Sequence, residues 1–426
     1  MAFTGSRRFI GLGFGAIQSG LFAYEAFRTG DYAPPLVIDV RADLVAGLRA
    51  DSGHFRVNIA RADRIDVATV GPVNAVDSTV ERERELVVDA IAGADEFASA
   101  LPSVAFYRTD GPNSPHRLLA EGLRRRALST PLIAFCAENH RSAAELLAAA
   151  VLEAVPEEER KAVAARACYV DTVIGKMSGV ITDEAELAQH DLATITSAIP
   201  SAFLVEEFDR ILVSRAGEGL HPGMPVLREV DDLAPFEDAK LLGHNATHAL
   251  AGFLGALLGL GLVADLREVD GAMAFLRAAF IEESGVTLRR RWAGADELFT
   301  EAGYAAFADD LLERMVNPWL ADTIERSGRD PRRKLGWEDR LVGLLRLGLA
   351  EGVPTPRYAM GVAGGLEILR RDGEAGSDED LLRSCWPDDA VPEEITAVLA
   401  TVAVGRAWLE AWLADGFEAI AQSGIA

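Results

Sequence analysis

The sequence predicts an α/β domain with a doubly wound, mostly parallel sheet, followed by a mostly α-helical domain. Three observations predict this arrangement. Apolar strand-like runs alternate with helical stretches through the first half of the 426-residue chain. A glycine-rich loop joins the first strand to the first helix, and the periodicity beyond Pro200 is almost entirely helical. Strands that alternate with helices pair in parallel, because a parallel crossover needs a long connection.

The elements of the first half follow in order. Buried strands are predicted at 8–13, 36–40, 103–107 and 132–136, where short apolar runs occur. Helical periodicity marks 17–29, 42–50, 114–127 and 142–155. Residues 55–70 alternate between apolar and polar and are interrupted by charges, so we expect an antiparallel addition at the edge of the sheet.

The second half is predicted to be all helical. Helices are expected at 235–262, 271–283, 295–317, 337–352 and 391–416. The run 249–264 is the most apolar, but it is shorter than the ~20 residues of a membrane span, which indicates a buried core helix. The change in composition predicts two domains, an α/β domain at 1–200 and a helical domain at 201–426.

Charge and cysteine content exclude several classes of partner. Lys and Arg total 42 and Asp and Glu total 66, so the net charge is −24. Such a surface repels nucleic acid and anionic lipid. Three cysteines and seven histidines form no disulfide framework and no metal-ligand motif, which favours a reducing cytoplasm and no metal. The glycine-rich N-terminal stretch is interpreted as a turn and not as a signal peptide.

The glycine-rich loop is the first candidate site. Two registers fit a dinucleotide motif, one beginning at Gly11 and ending at Ala16, the other beginning at Gly13 and ending at Gln18. Glycines let the backbone approach a diphosphate, and the following helix start offers N–H groups to it. A strand–helix turn without a ligand is the alternative. The candidate cofactor-binding residues here are Gly13, Gly15, Ala16, Ile17 and Gln18.

Asp39 supports the nucleotide interpretation. It ends the second strand, where an acidic residue can bind the two ribose hydroxyls of NAD and repel the 2′-phosphate of NADP. Arg41, two residues later, can instead hold that phosphate. NAD is therefore the expected cofactor, with NADP as the alternative, and a helix-capping role for Asp39 is the structural alternative.

A cluster of polar side chains on the helix from Lys240 forms the second candidate site. At ~100° per residue, His244, His248 and Asn245 lie about 40°, 80° and 140° round from Lys240 and share one polar face. A buried lysine with a lowered pKa can act as a general base on an alcohol, with amide and imidazole groups around the oxygen. The alternative is a lysine that reaches solvent and a histidine satisfied in the core.

Asn139 is the third candidate. It follows the apolar strand at 132–136, and the carboxyl ends of parallel strands face the ligand crevice. It can meet the nicotinamide or the substrate there. The alternative is a cap for the next helix.

These segments, in this order, resemble the polyol-specific long-chain dehydrogenases, a zinc-independent group also called the mannitol dehydrogenase family. The likeness is strongest to the mannitol-1-phosphate 5-dehydrogenase type. It spans nearly the whole chain in four stretches, which are 13–20, 136–141, 230–248 with its K-x4-N-x2-H helix, and 317–335. Residues 170–173 resemble the family's VDRI motif without its arginine, and 106–115 look inserted.

The resemblance implies an N-terminal Rossmann domain, a helical C-terminal domain and a site between them. It implies that Lys240 is the catalytic base and that Asn139 and Asn245 stabilise the alkoxide. It further implies that His248 contacts a substrate hydroxyl. His244, Arg329 and Lys334 are candidate substrate-binding residues, since the basic segment with Arg332 and Arg333 can hold a phosphate or lie on the surface.

The predicted function is therefore an NAD-dependent oxidoreductase that interconverts a sugar alcohol, possibly a polyol phosphate, and its ketose. An aldonate oxidoreductase of the tagaturonate or mannonate type, and a non-catalytic NAD-binding sensor, are the alternatives. The expected partners are a small-molecule polyol, sugar phosphate or aldonate, without nucleic acid or membrane. The expected state is a monomer or small homo-oligomer.

Overall fold

A computed structural model of the chain describes residues 3–422. The chain forms two compact units, Met1–Ala234 and Pro235–Ala426. The first unit extends past the boundary expected at residue 200, because three strands follow that point. Those strands pair with strands of the first unit and so belong to it.

Twelve strands form two sheets within the described part of the first unit. The strands are β1 (Phe9–Leu12), β2 (Leu36–Asp39), β3 (Phe55–Ala60), β4 (Ile65–Val70), β5 (Asn74–Asp77), β6 (Glu96–Ser99), β7 (Leu132–Cys136), β8 (Ala167–Val173), β9 (Ser178–Ile181), β10 (Ala202–Glu206), β11 (Ile211–Ser214) and β12 (Leu227–Val230).

The larger sheet has the order β12-β11-β8-β7-β6-β1-β2-β5. The six strands from β5 to β8 are parallel, β11 is antiparallel to β8, and β12 runs parallel to β11. The chain winds one way from β1 to β2 and β5 and the other way from β1 to β6, β7 and β8. This is the doubly wound dinucleotide-binding order, which confirms the predicted fold class.

Both faces of the central part of this sheet are buried, so its central strands are mostly apolar. Ile10 and Leu12 pack with the helices Glu81–Gly93, Pro115–Arg125 and Ala143–Glu153 on one face. Phe9 packs on the opposite face. Alternate side chains of one strand thus enter two different cores, which is typical of parallel sheets covered on both sides.

The stretch 55–70 is antiparallel, as predicted, but it does not lie at the edge of the main sheet. The hairpin β3–β4 belongs to a second sheet of order β4-β3-β10-β9. The strand β3 pairs in parallel with β10, with Asn58 opposite Leu204. Its apolar residues Phe55 and Val57 enter the same core as Phe203 and Val205. The partner strand lies far along the chain, which local alternation does not reveal.

The predicted strand at 103–107 is wrong. Val104–Tyr107 is a 3-10 turn, and the Ser103 side chain caps it by accepting a hydrogen bond from the Ala105 N–H. The strand that pairs between β1 and β7 in the main sheet is instead β6, and its buried Glu96 interrupts the apolar pattern that would have indicated it. Tyr32 donates a hydrogen bond of 2.6 Å and Arg7 one of 3.1 Å to the Glu96 carboxylate, which satisfies its charge inside the fold.

Helices complete the first unit and form almost all of the second. Those of the first unit are Gln18–Ala23 (a π-helical turn), Tyr24–Thr29, Ala42–Ala50, Glu81–Gly93, Pro115–Arg125, Ala143–Glu153, Glu157–Ala164 and Glu184–Gln189. The α- and π-helices from the boundary onward are Ala234–Asp238, Ala239–Asn245 (π), Ala246–Leu258, Ala272–Ala278, Ala279–Gly285 (π), Val286–Arg291, Glu301–Met315, Ile324–Gly328, Pro331–Lys334, Arg340–Glu351, Pro356–Arg371, Asp378–Arg383, Pro392–Asp415 and Phe417–Gln422. The remaining 3-10 turns are Val263–Glu268, Glu297–Phe299 and Pro318–Leu320.

The helix Pro356–Arg371 is one that periodicity did not predict. It contains three glycines, which lower helix propensity. A side chain at Gly361 would lie 2.9 Å from Leu250, so glycine allows close packing on the helix Ala246–Leu258. The buried carboxylate of Glu283 caps the new helix by accepting hydrogen bonds from the backbone N–H groups of Arg357 and Tyr358.

By length and composition alone, one described helix, Pro392–Asp415, could cross a membrane, with a mean hydropathy of 1.3. It also crosses the helix Pro356–Arg371 closely. A side chain added at Gly405 would lie 2.1 Å from the carbonyl carbon of Ala359. The core helix predicted at 249–264 is confirmed over Ala249–Gly255, which are all buried, but the helix ends at Leu258, where Gly259 has φ +73°.

Candidate active site

A cleft of about 590 Å³ opens at the carboxyl ends of the central parallel strands of the first unit. Its walls come from the loop after β1, the end of β2, and the segments that follow β5, β6 and β7. Gly13, Gly15, Ala16, Ile17, Asp39 and Arg41 all line it, so six of the seven predicted cofactor-binding residues meet here. Because the strand order reverses next to β1, this is the place where doubly wound sheets bind ligands.

Each glycine of the loop has a separate physical reason. Gly13 has φ +80°, and a side chain there would lie 2.8 Å from the Ala100 carbonyl oxygen. Gly15 has no atom within 4 Å of where its side chain would start, so the backbone before the helix is bare toward the cleft. Gly11 makes room for Gln18, whose amide nitrogen would lie 2.2 Å from an added side chain.

Gln18, the seventh predicted residue, is fully buried and packs over Gly11. Neither its amide nitrogen nor its amide oxygen has a hydrogen-bond partner among the described residues. Gln18 stands at the position of the third glycine of the motif, and its side chain fills the space above Gly11 of β1. Its side chain supports the loop from behind.

Asp39 both lines the cleft and holds the glycine loop. One carboxylate oxygen accepts a hydrogen bond of 2.8 Å from the Phe14 N–H, and the other accepts one of 2.9 Å from the Arg41 N–H. The Arg41 guanidinium forms an ion pair with Asp39 and also donates to the Phe14 carbonyl oxygen. The ion pair is long, at 3.4 Å, and the Arg41 side chain is about half exposed, so solvent screens its effect on the Asp39 carboxylate.

The apparent insertion at 106–115 forms one wall of the cleft. Phe106, Thr109, Asn113 and Pro115 line it, and Phe106 is 46% exposed. Tyr107 anchors this wall by donating a hydrogen bond to Glu138. An exposed aromatic ring and a few polar groups beside bare backbone are typical of a small-molecule site.

The segment after β7 is held rigidly. Glu138 is buried and accepts hydrogen bonds from the Ser99 hydroxyl at 3.0 Å and the Leu101 N–H at 2.9 Å. Burial raises the pKa of Glu138 above its usual value. Asn139 follows it and is exposed. The N-cap position of the helix Ala143–Glu153 is Ser142, three residues after Asn139.

Residues of the VDRI-like stretch provide this support. Asp171 accepts a hydrogen bond of 2.8 Å from the Ala144 N–H and so caps the helix that follows Asn139. Burial raises the pKa of Asp171. Thr172, in the place of the family's arginine, donates to the Cys136 carbonyl oxygen at 3.0 Å. Both contacts position the segment that carries Asn139.

In the second unit, Lys240 and Asn245 lie in one π-helical turn, Ala239–Asn245. In an ideal α-helix these two residues would lie about 140° apart. A π-turn pairs residues five apart, so it brings Asn245 over Lys240. Such turns are rare and occur frequently at functional sites. The turn therefore gives the K-x4-N spacing its geometric meaning.

The polar groups of this turn lie in a desolvated and cationic environment. The pKa of Lys240 is lowered to about 8, mainly by burial. Glu237 opposes this lowering, and the positive charge of Arg340 adds to it. Burial also lowers the pKa of His244 well below its usual value, and His248 and Arg314 add to this. At pH 7 His244 is uncharged, and about a tenth of Lys240 is the free amine, a fraction that grows as the pH approaches 8.

His248 follows one turn later and is oriented by Asp322. Its Nε2 lies 2.5 Å from the Asp322 Oδ2, and its ring centroid lies 6.2 Å from that of His244. Asn245 is half-buried, and its side chain makes no hydrogen bond within residues 3–422. The π-turn and the helix that continues it thus carry an amine, an amide and two imidazoles between residues 240 and 248.

The basic segment separates into a buried and an exposed part. Lys334 is buried and donates a hydrogen bond to the Ser327 carbonyl oxygen, and burial lowers its pKa to about 8. Arg329 is exposed. Arg332 pairs with Glu374, and Arg333 with Asp330 and Asp339. No group of three potential metal-ligating side chains occurs among the described residues.

Comparison with known families agrees with this geometry. The sequence profile of the mannitol dehydrogenase Rossmann domain matches residues 7–215, and that of the mannitol dehydrogenase C-terminal domain matches residues 232–404. The chain belongs to the mannitol dehydrogenase family. The predicted resemblance is confirmed at this level, and the likeness to the mannitol-1-phosphate type stays a prediction.

Two solved structures have the same fold as this family member. One is the Pseudomonas fluorescens mannitol 2-dehydrogenase in a ternary complex with NAD and D-mannitol, at 18% identity and a TM-score of 0.71. The match covers 98% of this chain and 94% of that one. The other is a D-sorbitol dehydrogenase in substrate-free form, at 15% identity and a TM-score of 0.76, covering 98% and 95% of the two chains.

Sequence reasoning missed three groups of this mannitol dehydrogenase family member. Glu138 and Asp322 stand inside stretches that carried the resemblance, but neither was assigned a role. Phe106 stood in the apparent insertion. A buried carboxylate next to a candidate residue was the available signal for the first two, whereas contact with the cleft requires the fold.

Proposed function

We propose that this protein is an NAD-dependent oxidoreductase that interconverts a sugar alcohol, or its phosphate, and the corresponding ketose. The observation that carries the proposal is the π-turn that combines Lys240, its pKa lowered to about 8, with Asn245. Membership of the mannitol dehydrogenase family supports it. The ternary complex of the Pseudomonas fluorescens relative, which contains NAD and D-mannitol, indicates the substrate class.

The first unit offers what a dinucleotide needs. The helix that starts after Gly15 begins at the wall of the cleft, which Gly15, Ala16 and Ile17 line, and the first N–H groups of a helix can bind a diphosphate. The Asp39 oxygens retain acceptor capacity beyond their two backbone bonds, so they can bind ribose hydroxyls. NAD, when bound, supplies the hydride acceptor for the alcohol carbon.

The second unit supplies the proton chemistry. The free amine of Lys240 takes the proton of the substrate hydroxyl, and its lowered pKa makes the amine available near neutral pH. The Asn245 amide donates a hydrogen bond to the oxygen as negative charge develops on it. The resemblance implies the same role for Asn139 and a substrate-hydroxyl contact for His248. His244, uncharged, adds no positive charge that would raise the energy of the protonated lysine.

Substrate panels test the function directly. We expect reduced nicotinamide to appear when NAD is mixed with a polyol or polyol phosphate, and to disappear with the matching ketose. The absorbance of the reduced nicotinamide measures both directions. Turnover with aldonates alone would favour the aldonate oxidoreductase. Tight NAD binding without turnover on any member of the panel would favour the sensor.

Cofactor choice depends on the charge of Asp39. We expect a higher kcat/KM with NAD than with NADP, since the carboxylate repels a 2′-phosphate. The change Asp39→Asn should raise kcat/KM with NADP by about tenfold, on the order of 1.4 kcal/mol. It keeps an oxygen for the Phe14 N–H, so the loop stays in place. The control Arg41→Ala separates the two side chains: NADP preference that depends on Arg41 would contradict this assignment.

A phosphorylated substrate is expected to use Arg329. This residue is exposed, whereas the neighbouring Arg332 and Arg333 are engaged with carboxylates. If it holds the phosphate, Arg329→Ala should raise KM for the polyol phosphate about tenfold or more and leave the free polyol unchanged. The matched control is Arg332→Ala, which should change neither. If both variants keep the wild-type KM for the polyol phosphate and for the free polyol, the basic segment does not bind substrate and is a solvent-exposed surface.

A further inference from the structure

Asp322 is a buried carboxylate that the proposed chemistry does not use. Its side chain is 1% exposed, and its Oδ2 lies 2.5 Å from the His248 Nε2. Its other oxygen accepts no hydrogen bond within residues 3–422 and lies 3.6 Å from the Arg326 guanidinium. A buried charge of this kind is costly unless it is paired, and His248 and Arg326 are the pairing groups.

The backbone holds this carboxylate in place. The Val263 N–H donates to the Asp322 carbonyl oxygen at 2.8 Å, and the Ile324 N–H to the Gly261 carbonyl oxygen at 2.9 Å. An antiparallel bridge joins Leu262 and Thr323. Residues 261–263 come directly after the helix that carries His248. Asp322 is therefore held by its side chain to the helix Ala246–Leu258 and by its backbone to the segment 261–263, a few residues beyond the end of that helix.

The pair determines which nitrogen of His248 bears the proton. An ionised carboxylate can only accept hydrogen bonds, so the Nε2 that faces it must carry hydrogen. The Nδ1 of a neutral ring is then an acceptor. A hydroxyl of the substrate can donate to it, whereas a ring with the opposite protonation would present a donor at Nδ1.

We propose that Asp322 is a positioning residue that holds His248 in the Nε2–H form, so that Nδ1 accepts a hydrogen bond from a substrate hydroxyl. The part that concerns substrate rests on the proposed function. The part that concerns the protonated nitrogen of His248 does not. Arg326 has a defined place in this arrangement, since it faces the carboxylate oxygen that His248 leaves unbonded.

The variant Asp322→Asn is expected to move the proton of His248 from Nε2 to Nδ1. The amide oxygen turns toward the Arg326 guanidinium, which can only donate, and the amide NH₂ then faces the His248 Nε2. That nitrogen must accept, so the proton moves to Nδ1. The same exchange in a carboxylate–imidazole pair that transfers protons costs about 10⁴-fold. Here only a hydrogen bond to substrate is lost, and we expect kcat/KM for the polyol to fall about 10²-fold.

Nitrogen NMR of the seven histidines measures the protonated nitrogen without substrate or turnover. The signal of His248 is assigned by its loss in His248→Gln. In the wild-type protein we expect hydrogen on Nε2, and in Asp322→Asn on Nδ1. The wild-type spectrum, once assigned with His248→Gln, decides the question even if Asp322→Asn does not fold. Hydrogen on Nδ1 in the wild type overturns the proposal.

Kinetics test the substrate part. We expect Asp322→Asn to lower kcat/KM and to leave the Kd for NAD unchanged. The matched control is Asp330→Asn, an exposed carboxylate nearby in sequence that pairs with Arg333. A changed proton position with unchanged kcat/KM would overturn the role toward substrate. Absence of turnover by the wild type on every polyol would refute the proposed function, while the NMR result for Asp322 would still stand.

Discussion

Replacement of Lys240 by methionine is expected to lower kcat/KM for polyol oxidation by about 10²–10⁴-fold, the usual effect of removing a general base. Methionine is unbranched and fills the space of the lysine stem without a charge. Lys240 lies in the π-turn with Asn245, where burial lowers its pKa to about 8. Single-turnover and steady-state rates of nicotinamide reduction measure the loss.

The wild-type pH profile should show the same group. Only the neutral amine can take a proton, so the rate of alcohol oxidation rises as the pH passes through about 8 and levels off above it. Ketose reduction needs the protonated amine, so its rate falls over the same range. In Lys240→Met the ionisation near 8 should disappear from both profiles.

The control for this change is Lys161→Met, an exposed lysine on the helix Glu157–Ala164. It should leave rates and pH profiles unchanged. NAD affinity, measured by fluorescence titration, should be the same in both variants, since the cleft belongs to the first unit. Near-normal turnover in Lys240→Met would refute the assignment and favour a lysine that only reaches solvent.

Replacement of Gly15 by valine is expected to weaken NAD binding about 100-fold or more, equivalent to about 2.7 kcal/mol. Glycine at this point of the loop lets the backbone approach a diphosphate. A side chain at Gly15 meets no protein atom within 4 Å, so the protein itself does not require glycine here. The substitution fills only the cleft that the dinucleotide would occupy.

A matched control is available in the same unit. Gly175 also has no atom within 4 Å of an added side chain, and it does not line the cleft. Gly175→Val should leave the Kd for NAD unchanged, and both variants should keep the thermal midpoint of the wild type. Unaltered NAD binding in Gly15→Val would show that the glycine-rich loop is a strand–helix turn without a ligand.

The features that local sequence determined are those with local causes. The run of apolar residues in β1 followed by Gly13 and Gly15 predicted a strand, a tight turn and a helix start. The structure agrees, since Gly13 has φ +80°, a conformation that most other residues disfavour. Asp39 at the end of β2 was placed by the same logic. The central strands are buried on both faces, and they were therefore predicted from short runs of apolar residues.

Other features depend on partners far along the chain. Glu96 interrupts the apolar pattern of β6, and only the fold brings Tyr32 and Arg7 to its carboxylate. The hairpin at 55–70 finds its sheet through β10, since Asn58 pairs opposite Leu204. No periodicity within the hairpin specifies that neighbour, so its place in the fold was predicted wrongly.

The turn that carries Lys240 and Asn245 depends on both local sequence and distant contacts. The types and order of Lys240, Asn245 and His248 were evident from sequence, and together they predicted an alcohol-oxidising site. Their α-helical phase would separate Lys240 from Asn245 by about 140°. The π-turn that stacks them, and the contact between His248 and Asp322, 74 residues later, are decided by tertiary packing. This turn packs against residues far along the chain, since a side chain at Gly243 would lie 2.7 Å from the Tyr304 hydroxyl and 2.9 Å from the Phe280 ring, and helical periodicity within the turn does not reveal such neighbours.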